Sequence, residues 1–148
     1  MKLPILTLML LAALAHTGEC RTQAKERGLR HLKIWAGEYV RPLPGLQRRS
    51  IFADPQLRAA LTRLLGRDGL AEVLARFQAT APAELAAGLL IFSGNPEHDT
   101  SQACLVIVGL DSGEVWVALR NGNAVQWLGP KLPPDTPTCL IEDFLPRR

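Results

Sequence analysis

The chain predicts an α+β fold, an antiparallel β-meander of four to five strands with a helical hairpin packed on one face, and three sequence features carry that prediction. Apolar residues recur at helical spacing, first as Leu57, Ala60, Leu61, Leu64 and Leu65, then as Leu70, Val73, Leu74 and Phe77. After Pro82 the period changes, and residues 85–92, 104–110, 114–119 and 124–128 form short runs rich in β-branched or apolar side chains. Asp111-Ser112-Gly113 and Asn121-Gly122 join those runs; the second is a strong hairpin signal because both residues tolerate positive φ.

Taken in order, Lys2, the apolar stretch Leu3 to Leu14 and the small-residue signature Ala13-Leu14-Ala15 read as a secretory signal peptide over residues 1–15. That stretch is shorter than the roughly 20 apolar residues a bilayer span needs, so no stable membrane insertion is expected. Residues 16–148 then form a single α+β domain. Cys20 invites a lipoprotein reading, but Gly18-Glu19 puts a charge where that processing wants a small residue, which leaves a secreted or periplasmic location as the expectation. Arg21 to Lys33 is charged and weakly helical, and Ile34 to Val40 alternates like a strand lying at the sheet edge until Pro42 and Pro44 stop it.

Asp54 is a good N-cap with Pro55 behind it, and they start a first helix to Leu65 that Gly66 ends; a second helix is expected over Leu70 to Ala79. In the strand at 114–119, Val115, Val117 and Leu119 point one way and Glu114, Trp116 and Ala118 the other, which predicts one core face and one partly exposed face. Near the end, Thr136 reads as an N-cap with Pro137 at the first helical position, and Leu140, Ile141 and Phe144 make a short apolar face that plugs the core.

Composition excludes more than it identifies. The formal charge is +3, and removing residues 1–15 takes one lysine and no acid, leaving +2. Basic residues bunch at Arg21, Lys25, Arg27, Arg30 and Lys33 and again at Arg41, Arg48 and Arg49, with few aromatics and no nucleic-acid module, so they read as a solvated face. Three cysteines in an exported chain allow one disulfide. Cys104 and Cys139 are the candidate pair, joining the tail to the sheet for about 3–4 kcal/mol in the chain-entropy model, with two buried unpaired thiols as the alternative.

Histidine occurs only at positions 16, 31 and 98, and no nucleophile elbow, phosphate loop or zinc spacing is present, so neither a catalytic residue nor a metal or cofactor is expected. The polar segment Ser93 to Gln102 stands out because it interrupts two strongly apolar runs. It joins Gly94, Asn95 and Pro96 to the triplet Glu97-His98-Asp99, whose adjacent side chains diverge in an extended loop and cannot easily share a metal. The triplet is suited to presenting an imidazole N–H outward while the neighbouring carboxylate fixes its tautomer or the local turn; an Asx-type turn with an exposed histidine of no consequence is the plain alternative.

Ser93-Gly94-Asn95-Pro96-Glu97-His98-Asp99-Thr100-Ser101-Gln102 resembles the exposed loop of the Ivy-type periplasmic inhibitors of vertebrate lysozyme, C-K-P-H-D-C followed by G-S-Q. It keeps the His-Asp and Ser-Gln in matching order, while the two family cysteines fall at Asn95 and Thr100 and one residue is missing after them. The likeness extends more loosely from Pro55 to the hairpin that ends at Trp127-Leu128-Gly129. It implies a non-enzymatic protein whose loop, residues Asn95, Pro96, Glu97, His98 and Asp99, enters a partner's cleft. His98 would engage the catalytic carboxylates and Asp99 would support it. The implied partner is a lysozyme-like or lytic transglycosylase-type glycoside hydrolase. Two other readings remain open from the sequence: an interaction protein using Trp35, Tyr39, Trp116 and Trp127 as a sheet-face contact, and a small hydrolase built around His98.

Overall fold

The computed structural model describes residues 28–41 and 50–145. The expected signal peptide, Cys20, the basic residues at 21, 25 and 27, and the basic loop 45–49 lie outside them.

Asp54 caps the helix as its position predicts, with Oδ1 accepting from the backbone N–H groups of Gln56 and Leu57 at 3.0 and 2.9 Å. Helix α1 then runs Pro55–Arg76. Gly66, at φ 71° and ψ 179°, breaks its geometry, so the two expected helical segments follow one another across a glycine kink. The second segment ends at Arg76 instead of Ala79 because Ala79–Thr80 is taken into the sheet as strand β1.

One six-stranded antiparallel sheet makes up the rest. The expected single strand over 85–92 is two: β2 (Glu84–Ala86) turns back on β3 (Leu89–Asn95) through the two-residue loop Ala87-Gly88. Both loop residues have positive φ, 50° and 74°, the mark of a type I′ turn, and alanine in the first of these positions gave no sequence signal for it. β4 (Gln102–Gly109), β5 (Val115–Asn121) and β6 (Ala124–Leu128) complete the meander. In the last hairpin Asn121 pairs with Ala124, so the turn is Gly122-Asn123, one residue later than expected, and its left-handed residue is Gly122 at φ 61°. β1 and β2 both pair with β3, which leaves the order β1-β3-β4-β5-β6 with β2 beside β3.

Ile34 to Val40 is not a strand. Arg30–Trp35 is a 3-10 helix, and only two isolated bridges follow, Ala36 with Ala83 and Tyr39 with Pro82. The segment nevertheless lies where the sequence puts it, beside the residues that lead into β2, and His31 Nε2 reaches Asp54 Oδ2 at 2.7 Å.

Strand alternation divides the apolar side chains between two cores. Leu90, Phe92, Cys104, Val106, Val108, Val115, Val117 and Leu119 face α1 and the N-terminal segment. Phe52, Phe77 and Phe92 interlock there edge to face, with ring centroids 4.9 to 5.9 Å apart. Leu89, Ile91, Ala103, Leu105, Ile107, Trp116 and Ala118 face the other way and meet Ile141 and Phe144. The expectation of a partly exposed second face is therefore overturned: the C-terminal segment covers it, and Trp116 is 2% exposed. The expected tail helix is two 3-10 turns, Thr138–Leu140 and Glu142–Phe144; Pro137 is the residue before the first, and the Thr136 hydroxyl donates to the Pro133 carbonyl instead of capping.

The same alternation undoes the expected disulfide. Cys104 and Cys139 are both free thiols, Cys104 buried in the core toward α1 and Cys139 exposed on the tail that covers the opposite face. Burial pushes the Cys104 thiol up to about 12, so it stays protonated and unreactive at neutral pH.

Two measurements follow. A brief alkylation of native protein, mapped by peptide mass, labels Cys139 and spares Cys104 until denaturant is added. Gly94→Ala lowers the urea midpoint by an amount equivalent to about 1–3 kcal/mol, because a Cβ at Gly94 lies 2.7 Å from Phe77 Cδ1 and 3.0 Å from its Cα.

Candidate functional site

Ser93 and Gly94 pair with Leu105 and Cys104 inside the sheet, and Asn95 is the last residue of β3, facing Ala79 of β1. The loop proper is thus Pro96–Ser101, shorter at both ends than the sequence suggests. It projects from the sheet at the end where α1 finishes and the β5–β6 hairpin turns.

Within it the backbone folds tightly. Pro96 O accepts from the Asp99 N–H at 3.2 Å, closing a β-turn with Glu97 and His98 at its centre, and His98 takes a positive φ of 66°. That conformation costs a side-chain-bearing residue about 1–2 kcal/mol and is ordinarily given to glycine. Here it turns the imidazole into solvent, where the side chain is 91% exposed. Glu97 is exposed beside it, Asn95, Pro96 and Asp99 are half-buried, and His98 Nε2 lies 3.7 Å from Glu97 Oε1, beyond hydrogen-bond distance.

Of the two roles the sequence offers Asp99, fixing the imidazole tautomer or fixing the local turn, the geometry shows the second. Asp99 Oδ1 accepts from the Ser101 hydroxyl at 2.6 Å and the Ser101 backbone N–H at 2.9 Å, an Asx-turn that shapes the chain after the histidine. The Ser101 hydroxyl first, and its N–H second, hold the Asp99 carboxyl below its ordinary value of 3.8. A carboxylate whose folded value is depressed contributes to the fold above its unfolded value, and loses that contribution as pH falls through the folded one.

Further bonds tie the loop to the scaffold, several through Gln78, Arg120 and Arg76, which the sequence did not single out. Gln78 Oε1 accepts from the Glu97 N–H at 2.9 Å, Arg120 Nη2 donates to the Thr100 carbonyl at 2.8 Å, and the Gly122 N–H donates to Ser101 O at 2.9 Å. The Asn95 side-chain amide donates to Pro96 O at 2.9 Å. Beneath them the buried Arg76 guanidinium reaches the Arg120 carbonyl at 2.9 Å, Asn121 Oδ1 at 2.9 Å and Glu72 Oε1 at 2.6 Å, fastening the end of α1 to the end of β5. Apart from the local pairs Asn95–Pro96 and Arg76–Glu72, these partners are 19 to 45 residues apart in the chain, and several are backbone carbonyls, which leave no trace in a sequence.

The four aromatic residues do not share one face of the sheet: Trp35 packs on the helix side, Trp116 and Trp127 on the tail side. Trp116 is buried with Nε1 donating to Pro130 O at 3.0 Å, and Trp127 is half-buried with Nε1 donating to Phe144 O at 3.0 Å. Together with Leu128, Pro130 and Leu132 they line an apolar groove of about 270 Å³ toward the start of β5, away from the loop. Trp35 is half-buried at the N-terminal segment and Tyr39 is 39% exposed. Among the described residues no group of three His, Cys, Asp or Glu side chains is placed to hold a metal, and no helix is long and apolar enough to cross a membrane.

A protein-family model described as inhibitor of vertebrate lysozyme (Ivy) matches residues 56–142, more than half of the chain. That span holds nearly all of α1, the whole sheet and the Pro96–Ser101 loop. No curated protein and no solved structure gives a match.

In a carbon-detected NMR titration the Asp99 carboxyl should show a midpoint below 3.8, and Ser101→Ala should move it upward, since the Ser101 hydroxyl is the largest cause of the shift.

Proposed function

The chain belongs to the Ivy family, inhibitors of vertebrate lysozyme, and from that premise we propose that it blocks the cleft of a lysozyme-like glycoside hydrolase by inserting the Pro96–Ser101 loop, His98 foremost. The observation that carries the mechanism is the imidazole at the loop's turn, 91% exposed, with its Cα–Cβ bond aimed outward by a hydrogen-bonded backbone.

Retaining glycosidases work with two carboxyl groups about 5–5.5 Å apart, one acid and one nucleophile, with the scissile sugar between them. An imidazole has a nitrogen at each end of one edge, and as the cation both donate, so a single ring satisfies two acidic oxygens where the sugar would sit. Bonds of this kind to a charged partner are worth about 1.5–3 kcal/mol each. Asp99, drawn back into its own turn with Ser101, serves as the support for that ring through the backbone. Glu97, Pro96 and Asn95 form the flank of the insert.

Tight inhibition also requires that little conformational freedom be lost on binding. An unconstrained loop gives up about 0.5–1.5 kcal/mol for each side chain it immobilises. Asn95 and Thr100, which stand where the family loop has cysteines, engage hydrogen bonds: the Asn95 amide to Pro96 O, and the Thr100 carbonyl from Arg120. The mature chain's formal +2 gives no strong long-range attraction to a basic enzyme, so recognition rests on contact within the cleft. Acting on such hydrolases outside the cytoplasm fits removal of residues 1–15 on export to the periplasm or medium. A lytic transglycosylase of the cell's own wall is a second target of the same chemistry.

The test is titration of residues 16–148 into a vertebrate lysozyme and a lytic transglycosylase, with His98→Ala and His98→Gly beside the parent. Both substitutions should weaken inhibition by roughly a hundredfold or more, the loss of two charged hydrogen bonds. His98→Gly should also match or exceed the parent in thermal stability, because glycine accepts φ 66° without strain. Equal potency of all three proteins overturns the mechanism.

A further inference from the structure

We propose that Gln78 and Arg120 are positioning residues that clamp the two sides of the His98 turn and set its inhibitory strength, an inference that rests on the cleft-insertion reading above. Gln78 stands just beyond α1 and Arg120 near the end of β5, and they come from opposite sides of the loop. Gln78 Oε1 takes the Glu97 N–H, one residue before His98, and Arg120 Nη2 holds the Thr100 carbonyl, two residues after it. The histidine is thus bracketed by bonds to two elements that are themselves fixed.

Arg120 is seated with unusual care for a side chain at a strand end. Its guanidinium lies 5.7 Å from the centre of the Phe144 ring, and its own carbonyl is held by Arg76. Its Nε is buried and has no hydrogen-bond partner among the described residues. A buried donor left unpaired is costly, and a freely chosen rotamer would expose it. The pose is set instead by the ring on one side and the Thr100 carbonyl on the other. The C-terminal segment thereby acts on the loop: Phe144 anchors the tail in the second core and orients the arginine that holds the loop.

The bonds to Glu97 and Thr100 flank His98, one of two non-glycine residues that hold a positive φ among the described residues. Without them, His98 would relax toward an ordinary conformation and its ring would sample many directions. Insertion would then have to restore one of them, and affinity would fall by the fraction of time that direction is populated.

Three proteins test this beside the parent: Gln78→Ala/Arg120→Ala, the conservative Gln78→Glu/Arg120→Lys, and His98→Ala. In the free alanine pair, amide order parameters across 97–100 should fall from near 0.85 to about 0.6 or below, while those of β4 and β5 stay at the parental level. Inhibition of vertebrate lysozyme by the alanine pair should weaken roughly tenfold. The conservative pair, which keeps an acceptor at 78 and a donor at 120, should recover most of both.

Parental order in the free alanine pair overturns the clamp, and so does parental potency despite a mobile loop. A general loss of order or melting in both pairs would make the residues structural supports of the sheet, which also overturns it. Should the parent and His98→Ala inhibit equally, the cleft-insertion mechanism fails by itself, and the free-state order parameters still decide whether the clamp exists.

Discussion

The structure is governed by one constraint, the burial of β4 on both faces. After Gln102 every residue of that strand is buried, so each side chain belongs either to the core under α1 or to the core under the C-terminal segment. A residue's parity in β4 therefore fixes its neighbours. Cys104 and Val106 go to the helix side, Leu105 and Ile107 to the tail side. The second assignment requires a cover, which Ile141 and Phe144 provide, and the first withdraws Cys104 from any thiol on that cover. The loop that carries His98 leads directly into this strand, and its base cannot shift without disturbing both cores.

Above that base the loop is stiffened by hydrogen bonds. Six residues carry a turn closed by Pro96 and Asp99, an Asx-turn between Asp99 and Ser101, and links to Gln78, Arg120 and Gly122. Each bond has modest net worth, about 0.5–1.5 kcal/mol, but together they restrict the backbone that carries the exposed histidine. Arg76 has the largest share in the scaffold behind them, since its buried guanidinium joins the end of α1 to the carbonyl of Arg120 and the side chain of Asn121. Helix, hairpin and loop thus meet at one end of the sheet, while the indoles of Trp116 and Trp127 are spent on backbone carbonyls elsewhere.

Much of this was legible in the residues. The N-cap at Asp54, the break at Gly66 and the last three strands follow from local chemistry, as does the exposure of the Glu97-His98 turn. What escaped was non-local or depended on a positive φ where no glycine announces it. Ala87 opens a type I′ turn that splits an apparently continuous strand, and His98 occupies a conformation that its side chain disfavours. The pairing of Ile34 to Val40 was misread because an alternating pattern says nothing about whether a strand partner is available. The closed second face was missed for a similar reason: Trp116 gives the same pattern whether it is solvated or lies under a tail. Gln78 and Arg120 were silent, since the groups they hold are a peptide N–H and a carbonyl common to every residue.

The central claim is that an imidazole aimed by its own scaffold fills the acidic cleft of another protein. The structure of residues 16–148 bound to a vertebrate lysozyme tests it most directly. The account predicts the His98 ring between the two catalytic carboxyl groups, with nitrogen to oxygen distances of about 2.7–3.2 Å and the loop backbone unchanged from the free form. A complex in which the cleft is empty, or is filled by a different part of the chain, would contradict it.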